Sequence, residues 1–550
     1  MRILKNSNFD FMSKKIFALG LSGLIVFAGI FSLLVNGGPK LSIDFKGGTL
    51  VAVQYNKDIK VEDVRSKMSN INIDGQKFDF SKEEVKYFGS KSAVSIRVPH
   101  IENSPSNFAQ KIADHLFQSF PNQVPEDMTK FVLSKGKINY DEFMDMVSAA
   151  APSIGHCNTM GTASSMNSVA EALGMSLPGC AVIPAPYRER EQISFDTGKR
   201  IVGMVHEDLK PSKIMTRKAF ENAVIVASAI GGSSNCTTHL TAIAKHIGIK
   251  FDLSNWQKLG HEIPLLVNCQ PAGEYLMESF FSSGGVPAVM KELIKNKKIH
   301  TNIKTVTGKT VGENLRKKVD IDNKVIKTFK NALTEKAGFL VMRSNFFSSA
   351  IMKTSVISKE FKDQYLSNPK HPNVFECKAI VFEGPEDYHK RLNDKKLKVN
   401  ENSILIIRGC GPVGYPGSAE VVNMQPPDRL LKKGIRHLPT LGDGRQSGTS
   451  ESPSILHVSP ESAVGGDLGI VKTYDKIKID LNKRRVDLLI SQAEFKKRRK
   501  NKKVFKPKNQ TPWQEIFRNT VGQLDDGACI NSRGKYLDVS HTKGLPRDSH

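Results

Sequence analysis

Residues 16–35, IFALGLSGLIVFAGIFSLLV, form an apolar run of twenty residues without a single charge. As an α-helix, this run would extend about 30 Å, which matches the hydrocarbon core of a bilayer. It is longer than the apolar core of a signal peptide, and no clear small-residue cleavage site follows it. The sequence therefore predicts a transmembrane helix over 16–36, with a buried helix of a soluble domain as the alternative.

Basic residues lie mainly before this run. They are Arg2, Lys5, Lys14 and Lys15 on the N-terminal side, and Lys40 and Lys46 just beyond it. Because positive charge concentrates on the cytoplasmic side of a membrane span, residues 1–15 are expected in the cytoplasm and the chain after residue 36 outside it. The predicted localisation is a single-pass protein of the inner membrane.

The remaining composition is that of a large globular protein with a strong basic bias. The 550 residues carry a net charge of +25, with the densest run, KKRRKNKK, at 496–503. No aromatic residue interleaves with this run to stack on bases, so we interpret it as a solvated loop and expect no nucleic-acid partner. The seven cysteines form no close pairs, which favours free thiols in a reducing compartment over a disulfide framework.

The segment after the apolar run, LSIDFKGGTLVAVQY (41–55), carries a Gly-Gly break followed by a predicted strand. Helices are predicted over 61–70 and 106–120, and a strand over 91–99. The apolar run and the motif Ile43–Thr49 resemble the start of SecF, a subunit of the bacterial protein-export machinery. The resemblance implies a small extracytoplasmic α+β domain and translocase subunits as partners, although no later run of eighteen apolar residues supplies the further helices of that family.

A different pattern begins near residue 125 and centres on GHCNTMGTASSM (155–166). The motif places one cysteine in a loop before a predicted helix, whose apolar positions Met166, Val169 and Leu173 recur at helical spacing. The positive end of a helix favours a thiolate. On these residues alone, Cys157 could be a nucleophile, a metal ligand or a buried packing residue.

Five separated motifs together resemble the IlvD/Edd dehydratases, which are iron–sulfur lyases. They are GHCNTMGTASSMNSVAEALGMSLPG (155–179), the segment 215–248 with AFENAVIVASAIGGSSNCTTHL, TVTGKTVGENL (305–315), GPVGYPGSAEVVNM (411–424) and GDGRQSGTSESPSILHVSPESAVGG (442–466). Their form is most similar to the sugar-acid branch that acts on arabinonate or xylonate. The resemblance implies dehydration of a 2,3-dihydroxy acid to a 2-keto-3-deoxy acid, in the cytoplasm, by a protein that is commonly oligomeric.

The resemblance also implies cofactors and site residues. Such enzymes use an iron–sulfur cluster of the 2Fe–2S type as a Lewis acid for the leaving hydroxide, and Mg²⁺ to hold the substrate carboxylate. Cys157 matches a cluster ligand, Glu420 a Mg²⁺ ligand and Ser447 the catalytic base. Arg445 is expected to neutralise the substrate carboxylate. A packing cysteine, a surface glutamate and a turn serine are the alternatives for the first three.

The chain departs from this family before residue 155. No cysteine precedes Cys157, and the family's CDKTTP motif, which supplies a further cluster cysteine and two Mg²⁺ ligands, is absent. The translocase-like piece stands in place of the family's first 150 or so residues. We therefore expect both cofactor sites to be incomplete in this chain, and its activity is doubtful for that reason.

The predicted architecture has five parts: a cytoplasmic N-terminus (1–15), a transmembrane helix (16–36), a SecF-like α+β domain (37–122), a truncated α/β dehydratase domain (123–370) and a β-barrel-like C-terminal domain (371–550). Short strands are predicted in the α/β domain at ENAVIVASAI (221–230) and IPLLVN (263–268). Further strands are predicted in the C-terminal domain at 378–384, 403–409, 468–474, 475–481 and 486–491, followed by a helix within 507–524 that Thr511 caps and Pro512 begins.

Three hypotheses about function follow. The chain is a sugar-acid hydro-lyase by descent, a membrane component of protein export, or a non-catalytic chimera of the two. The opposite compartments that the two parts require favour a chimera, produced by a gene deletion or by an error of sequence assembly.

Overall fold

The computed structural model describes residues 154–530 apart from 317–320 and 503–507, and residues 48–120 in pieces. Those pieces are 48–55, 59–69, 71–73, 76–81, 83, 85–88, 90–99, 111–112, 115–116 and 119–120. The predicted transmembrane helix at 16–36 and most of the Gly-Gly motif lie outside the described residues. Within the described ranges, no helix is both long enough and apolar enough to cross a bilayer.

The chain divides into two compact units, an N-terminal one that ends at Ala150 and a second that contains Ala151–His550. The elements of the N-terminal unit are β1 (Gly48–Gln54), α1 (Val61–Lys67), β2 (Ile71–Ile73), β3 (Gln76–Phe78), β4 (Val85–Phe88) and β5 (Ser90–Pro99). Three of these strands form a small antiparallel sheet in the order β1-β5-β4. Val94, Ile96 and Val98 alternate along β5 into one core, as a sheet with a single buried face requires. The strand predicted over 91–99 is present as β5, and the helix predicted over 61–70 is present as α1.

The second unit begins with a helical region over residues 154–338. Its helices are α2 (Thr162–Ala172), α3 (Arg188–His206), α4 (Pro211–Ile214), α5 (Arg217–Ala229), α6 (Asn235–His246), α7 (Leu253–Asn255), α8 (Met277–Ser282), α9 (Gly285–Lys295) and α10 (Val311–Asn314). A π-helical turn at Trp256–Gly260 follows α7. The helices pack around a shared core that includes Phe220, Trp256 and Phe280.

The strand predicted at ENAVIVASAI is wrong, because nearly all of this segment lies in helix α5. The β-branched Val224, Ile225 and Val226 favoured a strand, yet all three are buried inside the helical core. An apolar run that is buried on every side has no period from which to distinguish helix from strand. IPLLVN forms single β-bridges at Leu265 and Val267 instead of a strand.

Eight strands of the second unit close into a barrel in the order β10-β11-β7-β6-β13-β12-β8-β9. They are β6 (Phe339–Ser344), β7 (Ser349–Lys353), β8 (Val374–Phe382), β9 (Ser403–Ile407), β10 (Thr440–Gly442), β11 (Ile455–Ser459), β12 (Lys476–Asp480) and β13 (Arg485–Leu488). The helices of this region are α11 (Lys359–Phe361), α12 (Pro385–Arg391), α13 (Asp428–Leu431), α14 (Gln492–Lys500) and α15 (Pro512–Thr520). The predicted barrel-like C-terminal domain is confirmed, and its first strand begins at Phe339.

Strand β9 shows how the barrel joins the helical region. Ile404 and Ile406 point into the barrel core, whereas Leu405 and Ile407 belong to the core that the helices share. Because successive side chains of a strand face opposite sides, one strand serves two apolar environments, and all five of its residues are buried. Its uninterrupted apolar sequence follows from this burial on both faces.

Two further predictions near the C-terminus are wrong and one is confirmed. Residues 468–474 are no strand, because a 3₁₀-helix occupies Asp467–Ile470 and the Arg408 guanidinium binds the carbonyl oxygens of this turn. The basic run at 496–503 is not a loop throughout, because residues 496–500 form the end of helix α14. Thr511 caps helix α15 as predicted, accepting a hydrogen bond from the backbone N–H of Gln514.

Candidate active site

Helix α2 begins directly after the cysteine-bearing loop, as the sequence predicts. Gly161 is its extended N-cap residue, and Cys157 is exposed in the loop before it. The Thr159 hydroxyl donates to Cys157 Sγ across 3.7 Å. A Cβ atom built on Gly161 would lie 3.2 Å from Cys157 Sγ and 3.1 Å from Thr449 Cγ2. The thiol therefore sits beside both the start of a helix and a loop from the barrel.

That barrel loop, GDGRQSGTS, presses onto the first turn of helix α2. A Cβ atom on Gly448 would lie 2.5 Å from the Thr162 amide nitrogen, so only glycine allows this approach. On either side of Gly448, the hydroxyls of Ser447 and Thr449 lie 2.9 Å apart. The close contact of glycine with backbone places Ser447 next to the loop that carries Cys157.

Glu420 reaches the same region through Asn235, the first residue of helix α6. The Asn235 side-chain amide donates to Glu420 Oε1 across 2.6 Å and to Thr162 Oγ1 across 2.9 Å, and it also lies 3.2 Å from the Gln446 carbonyl oxygen. Ser233 completes the link, since its hydroxyl lies 2.9 Å from that of Thr162. Asn235 thus connects two helix starts and two barrel loops at one point.

Arg445 also contacts the loop that carries Glu420. Its Nε donates to the Ser418 carbonyl oxygen across 2.8 Å, and its guanidinium lies 3.4 Å from Glu420 Oε1. The Glu420 side chain is 36% exposed, so the carboxylate is still open to a ligand. One carboxylate and one guanidinium face each other at this surface.

Two histidines behind this pair stay neutral at physiological pH. Burial lowers the pKa of His239, the Arg445 guanidinium lowers it further, and Glu420 opposes the shift. Burial lowers the pKa of His457 to about 3, with Arg445 and His239 acting in the same direction. Of these four side chains, Glu420 and Arg445 therefore carry the charge, and their charges are opposite.

Two buried carboxylates hold the loops in place. Asp443 accepts hydrogen bonds from the backbone N–H groups of Gly409 and Cys410, at 3.0 and 2.9 Å. Glu461 accepts from those of Val413 and Gly414, at 3.0 and 2.8 Å. Both carboxylates thereby fix the start of the loop that leads to Glu420. Burial raises the pKa of Glu461, and nearby Asp443 adds to the shift.

The sequence-predicted residues converge through shared neighbours. Cys157 and Ser447 meet around Gly161 and Thr449, and Glu420 and Arg445 form an ion pair. Sequence reasoning missed Asn235, although it stands in the quoted segment GGSSNC. A polar residue at the start of a helix, after two glycines, was the available signal.

The described residues do not make a complete site for either implied cofactor. All seven cysteines of the chain are described, and Cys157 is the exposed one, whereas five are buried and Cys180 is half-buried. A cluster needs several thiolates around its irons. Within the described ranges, no group of three His, Cys, Asp or Glu side chains is placed to hold a metal ion. One thiol and one carboxylate fit parts of the two sites, and neither set is complete.

Comparison with known families agrees with the motifs. The model "Dihydroxy-acid/6-phosphogluconate dehydratase N-terminal" matches residues 115–314, and its C-terminal counterpart matches residues 324–528. The model "SecD/SecF GG Motif" matches residues 31–59. Chemistry-bearing residues of the site come from both dehydratase regions.

Curated relatives cover most of the chain. A D-xylonate dehydratase of Caulobacter vibrioides is 53% identical over 418 residues, which are 76% of this chain and 70% of that protein. An L-arabinonate dehydratase of Rhizobium leguminosarum is 40% identical, covering 76% and 70%. A dihydroxy-acid dehydratase of Thermodesulfovibrio yellowstonii is 37% identical, covering 72% and 69%. Two of these three relatives are sugar-acid dehydratases. The chain belongs to the IlvD/Edd family of dehydratases, which are hydro-lyases.

Proposed function

We propose that residues 154–530 form the substrate-binding part of a dehydratase site for five-carbon aldonic acids of the xylonate or arabinonate type. The observation that carries this proposal is the convergence of Cys157, Glu420 and Ser447 around the amide of Asn235 and the start of helix α2. The names and identities of the two sugar-acid relatives support the substrate class.

Each residue has a role in this proposal. Arg445 pairs with the substrate carboxylate, for which its planar guanidinium is well suited. Ser447 is the base that takes the proton from C2, and Glu420 supplies an oxygen ligand of the type that Mg²⁺ prefers. Cys157 offers one thiolate for the iron–sulfur group, which when complete would bind the departing hydroxide.

The set of cofactor ligands limits the activity of this chain. The described residues provide one exposed thiol and one carboxylate, and no cysteine precedes Cys157 in the sequence. On this proposal the chain alone binds the acid but does not dehydrate it. Further ligands have to come from beyond residues 154–530 for turnover to occur.

The test combines binding with reconstitution. The purified full-length chain is titrated with D-xylonate and L-arabinonate by calorimetry, with Arg445→Met as the comparison. It is then incubated anaerobically with Fe²⁺, sulfide and Mg²⁺, and iron content and 2-keto-3-deoxy acid are measured. We expect saturable binding that Arg445→Met weakens, less than two irons per chain and no keto acid.

Two outcomes would contradict separate parts of the proposal. Failure to bind either acid removes the substrate assignment. Stoichiometric iron and sulfide together with product formation remove the claim that the site is incomplete.

We propose a second, separate role for the N-terminal region as a membrane anchor derived from a SecF-like protein. The match at residues 31–59 supports it. On this proposal the full chain sediments with inner membranes and resists carbonate extraction, whereas a chain without residues 1–36 does not. The full chain is not expected to rescue a strain that lacks the translocase subunit, because residues after 36 contain no further long apolar run. Rescue of secretion would show a working export component instead.

A further inference from the structure

A cavity lies at the junction of the barrel with the helical region, away from the candidate active site. Its volume is about 630 Å³, and its walls come from residues 252–258 and from strand ends and hairpins of β6, β7, β12 and β13. It shares no lining residue with the site around Asn235. Its size is that of a pocket for a small organic molecule.

The cavity wall is rich in positive charge. Its basic residues are Lys258, Arg343, Lys483, Arg484 and Arg485. Arg485 is neutralised by Asp487, with its Nε donating across 2.8 Å. The other four form no ion pair with any residue that the structure describes.

The two carboxylates of the cavity wall already accept hydrogen bonds from neighbouring groups. Asp252 caps helix α7 by accepting from the backbone N–H of Ser254. Asp525 accepts from the Ser349 hydroxyl across 2.8 Å. Neither is within ion-pair distance of the four cations, so the cavity keeps a clear excess of positive charge.

Backbone pairing brings the main chains of these arginines together. Arg343 and Arg485 are partners in the parallel pair of β6 and β13. The Arg343 N–H also donates to the Arg484 carbonyl oxygen across 2.9 Å. Because these basic residues line one cavity, their positive charges repel each other, and a bound anion would relieve this repulsion. Guanidinium groups bind phosphate oxygens in pairs, which makes phosphate the anion that suits Arg343 and Arg484 best.

We infer that this cavity binds a phosphorylated small molecule through Arg343 and Arg484, with Lys258 and Lys483 as additional cations. A cavity of this volume suits a small ligand better than a nucleic acid, whose backbone needs a long groove. Aldonic acids bind at a different place, so this site is independent of the proposed function.

Calorimetric titration of the full chain with inorganic phosphate and with ribose 5-phosphate tests the inference. We expect one site per chain and tighter binding of the ester, whose sugar also fills the cavity. The double variant Arg343→Ala/Arg484→Ala is expected to bind about tenfold or more weakly. The matched control is Lys378→Ala/Lys476→Ala, because these two exposed residues are partners on β8 and β12 and line no part of the cavity.

Equal binding by the wild type and the arginine double variant would overturn the inference, and so would an equal loss in the lysine control. Absence of saturable binding of either probe at millimolar concentration would do the same. Circular dichroism of each variant separates loss of binding from loss of fold. Tighter binding of phosphate than of the ester would contradict a subsite for the sugar in this cavity.

Discussion

The Asn235 amide donates to the Glu420 carboxylate across 2.6 Å, although 185 positions separate the two residues. This bond joins the helical region to the barrel at the candidate active site. Replacing Asn235 with Ala leaves Glu420 and Thr162 without their shared donor. We expect the free energy of unfolding to fall by about 1–3 kcal/mol, measured by urea denaturation. Asn402→Ala, at an exposed position, is the control, and a similar loss there would contradict the role of Asn235.

The exposed thiol of Cys157 is expected to react first with iodoacetamide. Burial raises the pKa of the Cys236 thiol to about 12, and Cys180 is half-buried with a raised pKa. Thiolate is the reacting form, so both should be modified slowly. Peptide mass spectrometry after brief labelling should find one major adduct, which Cys157→Ser abolishes. Early labelling of Cys236 would be inconsistent with this packing.

The ammonium group of Lys353 is buried and has no hydrogen-bond partner among the described residues. Burial lowers its pKa to about 8 from 10.5. The unfolded chain therefore binds more protons than the folded one between these values, and stability rises with pH across this window. Lys353→Met should raise the free energy of unfolding below pH 8 by on the order of 3 kcal/mol and remove this rise. The exposed Lys478→Met should change neither.

Glu171 provides a pH dependence of opposite sign. Its carboxylate accepts from the Gly179 and Ala181 N–H groups, but burial raises its pKa to about 7. The folded chain then binds more protons than the unfolded one between about 4.5 and 7, so this group lowers stability as pH rises through that window. Glu171→Gln should flatten this part of the stability profile, measured by thermal unfolding across pH. The exposed Glu189→Gln is the control, and an unchanged profile in Glu171→Gln would contradict the assignment.

Much of the fold could be predicted from local patterns. The cap at Thr511 and the helix after Cys157 follow from residue preferences at helix starts, and both are present. The barrel was predicted from the apolar runs at 403–409 and 475–481, which contain β9 and β12. Segments buried on all sides were harder to predict, because residues 222–229 of helix α5 are all buried and offer no polar face to give a period.

The candidate site was predicted in part. Motif resemblance pointed to Cys157, Glu420 and Ser447, whose positions alone could not say that one amide would join their loops. Asn235 acts through contacts with residues 73 and 185 positions away, and such contacts leave no local pattern in a sequence. The basic cavity was likewise hidden, since its arginines come from separate strands that meet only when the barrel closes.

Strand β9 has a further consequence for how the second unit melts. Its alternate side chains pack in the barrel interior and in the helical core, so neither core can unfold while the other remains shielded from water. The two dehydratase regions should therefore unfold in a single calorimetric transition. Cleavage of the chain between them should leave two fragments that expose apolar surface.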